Sequence, residues 1–199
     1  AGVGIAEGRW TEARKRMIVG SRVRSAHILL DKVKELDTKI DAFISASAVG
    51  YYGATTTDKV YTEEDKHDEN DFLGVTCYNW EEQAQQFTTD LGIRSVSIRT
   101  GVVLSKDSEL IKKAVLPTKF WLAAPLGKGN QYMNWIHIDD LCRIYIKAIE
   151  DETMEGAYNA VAPEYTTNAE FMKGVASVLR KPMFMPRIPE FVFKWFLGE

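Results

Sequence analysis

The sequence predicts a doubly wound α/β fold, a parallel sheet covered by helices on both faces. Short apolar, partly β-branched segments alternate with helical segments along most of the chain, which is the rhythm of strand–helix–strand units. The strands run into small or polar residues, Ser45-Ala46-Ser47 in one and Arg99-Thr100-Gly101 in another. Ligands of open parallel sheets lie at such carboxyl ends.

Taken in order, Arg9 to Leu36 reads as one long helix with Thr11 as N-cap and Met17, Ile18, Val23, Ile28, Leu29, Val33 and Leu36 as apolar positions. Asp41 to Ser47 reads as a buried strand that runs into the aromatic glycine turn Val49-Gly50-Tyr51-Tyr52-Gly53. The stretch Asp58 to Asp71 holds seven acidic and two basic residues and reads as a solvated loop. A helix is expected over Phe72 to Leu91, stopped by Gly92, and a strand over Arg94 to Leu104.

Ser108 to Leu122 suggests a further helix, and Ala124 to Gln131 a loop punctuated by proline and glycine. Trp135 to Asp151 reads as a strand passing into a helix. Ala157 to Pro163 reads as a short strand, Thr167 onward as a capped helix, and Ile188 to Leu197 as an apolar terminal helix.

Composition narrows the function. With 45% apolar residues the 199-residue chain can bury a sizeable core. Its 25 Lys plus Arg against 28 Asp plus Glu give no nucleic-acid footprint and no membrane-attracted surface, so a small-molecule partner is expected. Cys77 and Cys142 form no CxxC pair and point to a reducing, cytoplasmic compartment. His27, His67 and His137 are scattered, so no metal site is expected, and no serine-hydrolase or Walker motif occurs. The glycines Gly2, Gly4 and Gly8 fall at GxGxxxG spacing, which is not the dinucleotide fingerprint.

Read together, Ala1-Gly2 followed by GRWTEARK, then ISASAVGYYG, SIRTGVVLS, APLGKGNQYMNWIHIDDL and YNAVAPEYTTNAEF resemble the epimerase-like (NAD-dependent epimerase/dehydratase) family of extended short-chain dehydrogenases/reductases. The resemblance implies a Rossmann-like sheet with residues 1–104 as the later part of an NAD(P)-binding domain and residues 105–199 as the last sheet elements plus a small substrate-binding region. It places Ala1-Gly2 at the end of a fourth strand, so that on the order of 60 residues with the phosphate-binding loop would precede the chain. It implies NAD or NADP as cofactor, NADP slightly favoured, hydride transfer on a small carbonyl or hydroxyl substrate, and a homodimer.

The same resemblance assigns site residues. Ser47 takes the place of the catalytic serine, with Tyr52 of the turn as a further proton donor. Cys77 and Glu81 stand at the spacing of the usual tyrosine and lysine, a pair in which the lysine cation lowers the phenol's pKa. No tyrosine here has lysine four residues on, so the usual relay is missing, and a non-catalytic NAD(P)-sensing protein is the alternative. Gly2, Ser45, Ala46, Arg99, Thr100, Gly101 and Val102 are expected to meet cofactor, and Tyr132, Asn134 and Trp135 substrate. Taken as structure only, Ser47 is a strand-end hydrogen bonder, Tyr51 and Tyr52 pack, Cys77 is a small apolar residue, Glu81 a surface carboxylate, and His137 sits beside a helix capped by Asp139.

Overall fold

The computed structural model describes residues 2–5 and 8–183; the expected helix over Ile188 to Leu197 and the position of Ala1 lie outside them. Helix α1 spans Glu12–Leu36, with the Thr11 side chain accepting the Arg14 N–H, so the chain from Arg9 to Thr11 precedes it. Strand β1 (Ala42–Ala48) leads into a single 3₁₀ turn, Val49–Tyr52. Gly53, at φ 85°, ends that turn in a conformation that suits a residue without Cβ. Helix α2 covers Phe72–Leu91 as the sequence predicts, with Asp71 accepting the Leu73 and Gly74 N–H groups at its start and Gly92 left-handed at its end.

The expected strand over Arg94 to Leu104 is two strands, β2 (Arg94–Thr100) and β3 (Val102–Leu104). Gly101 separates them because the backbone of Asn134 crosses there: a Cβ on Gly101 would fall 2.5 Å from the Asn134 carbonyl oxygen. That carbonyl accepts the Val102 N–H at 2.6 Å, which moves the chain into a second sheet. Helix α3 (Glu109–Lys119) starts at the Ser108 cap and stops before the expected Leu122, where Trp121 turns left-handed at φ 65°. Strand β4 (Trp135–His137) passes into α4 (Ile138–Glu150); β5 (Gly156–Ala160) and α5 (Asn168–Val178) follow, the last with a reciprocal Thr167–Glu170 capping box. Asp139 lies inside α4 and is not its cap; its backbone N–H is accepted by the His137 ring at 3.2 Å.

Two compact units interleave in sequence, with boundaries after Thr100, Asp139 and Ala160. The first holds the parallel sheet β1-β2-β5. One face of β2 seals Val96 and Ile98 from solvent, and the other receives α2, where Phe43 stacks on Phe87 with centroids 3.8 Å apart. Helix α1 lies along α2 and buries Ile18, Ala26 and Leu30. The second unit pairs β3 with β4 in parallel and packs α3 against α5 around Ala114, Ala123, Met172 and Ala176. Among the described residues no helix is long and apolar enough to cross a membrane.

Candidate functional site

Side chains alternate across a strand. Residues 43, 45 and 47 of β1 therefore share a face, and the parallel register sets them beside 95, 97 and 99 of β2. The serines at 45, 47, 95 and 97 are small enough for α2 to settle on this face, and Ser95 Oγ meets Thr88 Oγ1 of α2 at 3.0 Å. On α2, Cys77, Glu81, Ala84 and Thr88 recur at spacings of four, three and four residues and form one stripe. The stripe carries Glu81 to the carboxyl end of the sheet, where Ser47 and Arg99 end their rows.

Ser47 Oγ donates to Glu81 Oε1 at 2.5 Å. Arg99 donates from Nε to the same oxygen at 2.9 Å and from Nη2 to Oε2 at 2.8 Å. This two-pronged geometry matches the planar fork of arginine to a carboxylate. The pair is deeply placed, with side chains 4% and 13% exposed. Glu81 is thus a buried counter-ion and not the surface carboxylate that its helix position suggested; the register of β2, invisible in the sequence, brings Arg99 to it.

The other end of Arg99 is equally engaged. Its Nη1 donates to the Tyr52 hydroxyl at 2.8 Å and to the Glu63 carbonyl at 3.2 Å, and its guanidinium lies 3.5 Å from the Tyr51 ring centroid. Burial alone would lower the Arg99 pKa, but Glu81, through hydrogen bonds and charge, and Tyr52 hold it above its ordinary value. The Tyr52 hydroxyl has Asn159 Oδ1 of β5 at 2.9 Å and the Thr62 carbonyl at 3.0 Å as acceptors. Glu63 Oε1 accepts the Asn159 N–H at 2.8 Å. Part of the acidic stretch expected to be solvated loop is therefore fastened to the sheet. Burial raises the Tyr51 and Tyr52 phenols, against the opposing pull of Arg99.

Cys77 is buried, with its thiol pushed up to about 11, first by burial and then by the Glu81 charge. It remains a protonated thiol near neutral pH and is no substitute for an activated tyrosine. Ser45 is buried and donates to the Ala46 carbonyl at 3.0 Å, while Ala46 is exposed. Thr100 sits in register with Ala48 and Ala160. Gly2 is exposed and lies against Arg22 of α1.

The first unit thus gathers Ser47, Tyr52, Cys77, Glu81 and Arg99, with Ser45 and Ala46 along the same strand. Gly101, Val102, Tyr132, Asn134 and Trp135 belong to the second unit. There the Val102 N–H is already taken by Asn134, Trp135 Nε1 donates to Thr166 Oγ1 at 3.2 Å, and Tyr132 is 42% exposed. Of the side chains that meet here, Glu63 and Asn159 were not expected, and Arg99 was expected to meet cofactor rather than Glu81. Arg99 alone had a signal, its place at a strand end. No cluster of His, Cys, Asp and Glu suited to a metal occurs among the described residues.

Comparison with known proteins follows the same lines. The model of the NAD dependent epimerase/dehydratase family matches residues 1–160. Epimerase family protein YfhF of Bacillus subtilis is 35% identical over 192 residues, 96% of this chain and 62% of YfhF. The chloroplastic SDR39U1 homolog of Arabidopsis thaliana is 33% identical over 193 residues, 96% of this chain and 54% of that protein. The chain therefore spans between about half and two thirds of the length of these curated relatives. Among solved structures, human epimerase family protein SDR39U1 (isoform 2), crystallised with NADPH, superimposes with TM-score 0.89 at 30% identity, covering 100% of this chain and 67% of that one. The nucleoside-diphosphate sugar epimerase from Corynebacterium glutamicum gives TM-score 0.72 at 33% identity, covering 97% and 41%. The sheet is accordingly of the Rossmann type.

Proposed function

Because the chain belongs to the NAD dependent epimerase/dehydratase family, we propose that it forms the nicotinamide side of an NAD(P)-dependent oxidoreductase or epimerase that acts on a small substrate bearing a hydroxyl or carbonyl group. The NADPH bound to human SDR39U1 supports this cofactor class.

The carbonyl-end geometry of β1 carries the reading, above all the 2.5 Å hydrogen bond from Ser47 to Glu81. A serine hydroxyl has one proton and two lone pairs. With the proton directed at Glu81, Ser47 meets an incoming group as an acceptor, so a substrate hydroxyl donates to it. As that hydroxyl loses its proton to Ser47, the proton of Ser47 moves to Glu81. Arg99, bonded to both carboxylate oxygens, fixes the plane of Glu81 and so the line of transfer. Reversal of the same path returns a proton to a carbonyl oxygen. Tyr52, whose hydroxyl already serves Arg99 and Asn159, supports the network, and Cys77 stays a thiol.

The residues at hand fit the nicotinamide half of the cofactor. Ala46, exposed on the face away from α2, and Ala48 give the strand end short side chains against which a flat ring can lie, and no glycine-rich strand–turn–helix for a diphosphate occurs among the described residues. When bound, the nicotinamide supplies the hydride acceptor or donor. Gly2, Ser45, Ala46 and the backbone of Arg99 and Thr100 are the positions assigned to hold it. The cofactor roles of Gly101 and Val102, and the substrate roles of Tyr132, Asn134 and Trp135, rest on the family resemblance.

A second reading, a non-catalytic NAD(P) sensor, draws support from the raised Cys77 thiol where the family's catalytic phenol stands. Titration of the full-length protein with NADPH and NADH, followed by nicotinamide fluorescence, tests both. Binding at micromolar concentration, unchanged in Ser47→Ala but with substrate-dependent oxidation of the cofactor lost, upholds the enzyme. Binding with no turnover across a broad panel of aldehydes, ketones and nucleotide sugars leaves the sensor, and no binding by the folded protein overturns both.

A further inference from the structure

Arg22 is a cation in the first unit that no carboxylate pairs with among the described residues. It projects from α1 toward the segment at residues 2–5, where its Nη1 donates to the carbonyls of Ile18 at 3.0 Å and Val3 at 3.3 Å. Its guanidinium lies over the Trp80 ring of α2, 5.2 Å from the centroid. Gly2 packs against the guanidinium so closely that a Cβ there would come within 3.3 Å of Cζ and Nη1 and within 3.5 Å of Nη2. The group is therefore held on three sides: by carbonyls, by an indole and by a glycine backbone.

What is held leaves one edge open. No hydrogen bond or ion pair among the described residues engages Arg22 Nε or Nη2. Those two nitrogens form the side of the guanidinium that grips two oxygens at once, and in Arg99 of this same protein the same pair, Nε and Nη2, takes both oxygens of Glu81. Trp80, beneath the guanidinium, lies on α2 between Cys77 and Glu81, and a Cβ on Gly50, in the turn that follows Ser47, would lie 3.9 Å from the Cys77 sulfur. Arg22 thus lies against the stretch of α2 that bears Glu81, the partner of Ser47.

We propose that Arg22 docks a carboxylate or phosphate group of the substrate, through its Nε and Nη2, beside the hydroxyl that reacts at Ser47. This rests on the function proposed above and narrows its substrate class to small molecules that pair a hydroxyl or carbonyl with an oxyanion. A pre-oriented arginine suits that task better than lysine, because the fork selects the plane of the anion as well as its charge.

The test uses the full-length protein saturated with NADPH and follows the side-chain Nε–H nuclear magnetic resonance of Arg22, assigned through its bonds in the wild type. Malonate and inorganic phosphate are the probes. The expected result is a saturable shift of that resonance with at least one probe. In Arg22→Lys, the accompanying shifts of the Ser47 and Cys77 amides should need about tenfold more of it. No shift with either probe overturns the proposal, and so does a shift seen only without NADPH, since the cofactor then fills the place. Failure of NADPH to bind, read separately by fluorescence, counts against the proposed function; a saturable malonate or phosphate shift in that protein would still uphold Arg22 as an oxyanion site.

Discussion

Ser47 and Arg99 stand opposite each other in the parallel register of β1 and β2, and both donate to Oε1 of Glu81. Two strands and a helix are tied at one carboxylate oxygen, and most of the consequences that can be measured start there.

Removing one half of the buried pair leaves the other charged and unpaired, which costs about 3–5 kcal/mol. Arg99→Met is therefore expected to lower the urea midpoint sharply. The double variant Arg99→Met, Glu81→Leu should regain much of the loss, because an apolar pair of similar volume carries no desolvation cost. Equal destabilisation in single and double variants would show that the ion pair is not the source.

Tyr52→Phe removes a hydroxyl that accepts from Arg99 and faces Asn159 and Thr62. A loss of about 1–2 kcal/mol in stability is expected from the unpaired groups left behind. Turnover, by contrast, should change only a few-fold if Ser47 and Glu81 carry the proton. A drop of roughly a hundredfold or more at unchanged cofactor affinity would move the proton path to the phenol.

The Cys77 thiol is raised from 9.0 to about 11, first by burial. Between those values the unfolded chain has released a proton that the folded chain keeps, so stability falls as pH rises through this range and is fully present below it. Denaturation curves from pH 8 to pH 11 should show wild type losing on the order of 2 kcal/mol more than Cys77→Ala. At pH 8, iodoacetamide should modify exposed Cys142 well before buried Cys77.

Gly101→Ala places a methyl group 2.5 Å from the Asn134 carbonyl oxygen and 3.0 Å from Val161. Backbone crowding of this kind costs about 1–3 kcal/mol or more, and thermal unfolding of the variant should begin several degrees lower. An unchanged melting temperature would mean that the segment around Asn134 yields easily.

The helices and the parallel α/β class were legible because each rests on local signals, Thr11 and Thr167 as side-chain caps, Gly92 as a stop, and strands bounded by turn residues, although Asp139, read as a cap, lies inside its helix. Strand register is not local. Glu81 looked solvent-facing because nothing near it in sequence supplies a cation, and Arg99, eighteen residues on, reaches it only through the fold. The break of the expected strand at Gly101 likewise depends on a backbone crossing from residue 134. Ser47 was singled out through its strand end, whereas Arg22 sits in a helix crowded with basic residues and nothing in the sequence sets it apart.

The buried pair also shapes the potential around it. Arg99 and Glu81 cancel as charges but not as a dipole, and its negative pole lies on the Ser47 side while its positive pole is covered by Tyr51 and Tyr52. Such a dipole fades with distance faster than a single charge, so it acts on the reacting hydroxyl and is scarcely felt farther off. Under the proposed function it disfavours negative charge lingering on the substrate oxygen and favours the electron-poor carbon from which a hydride departs. Under the proposed anion-docking role, attraction of the substrate's oxyanion falls to Arg22, which no carboxylate pairs with among the described residues, while Arg99 biases the chemistry.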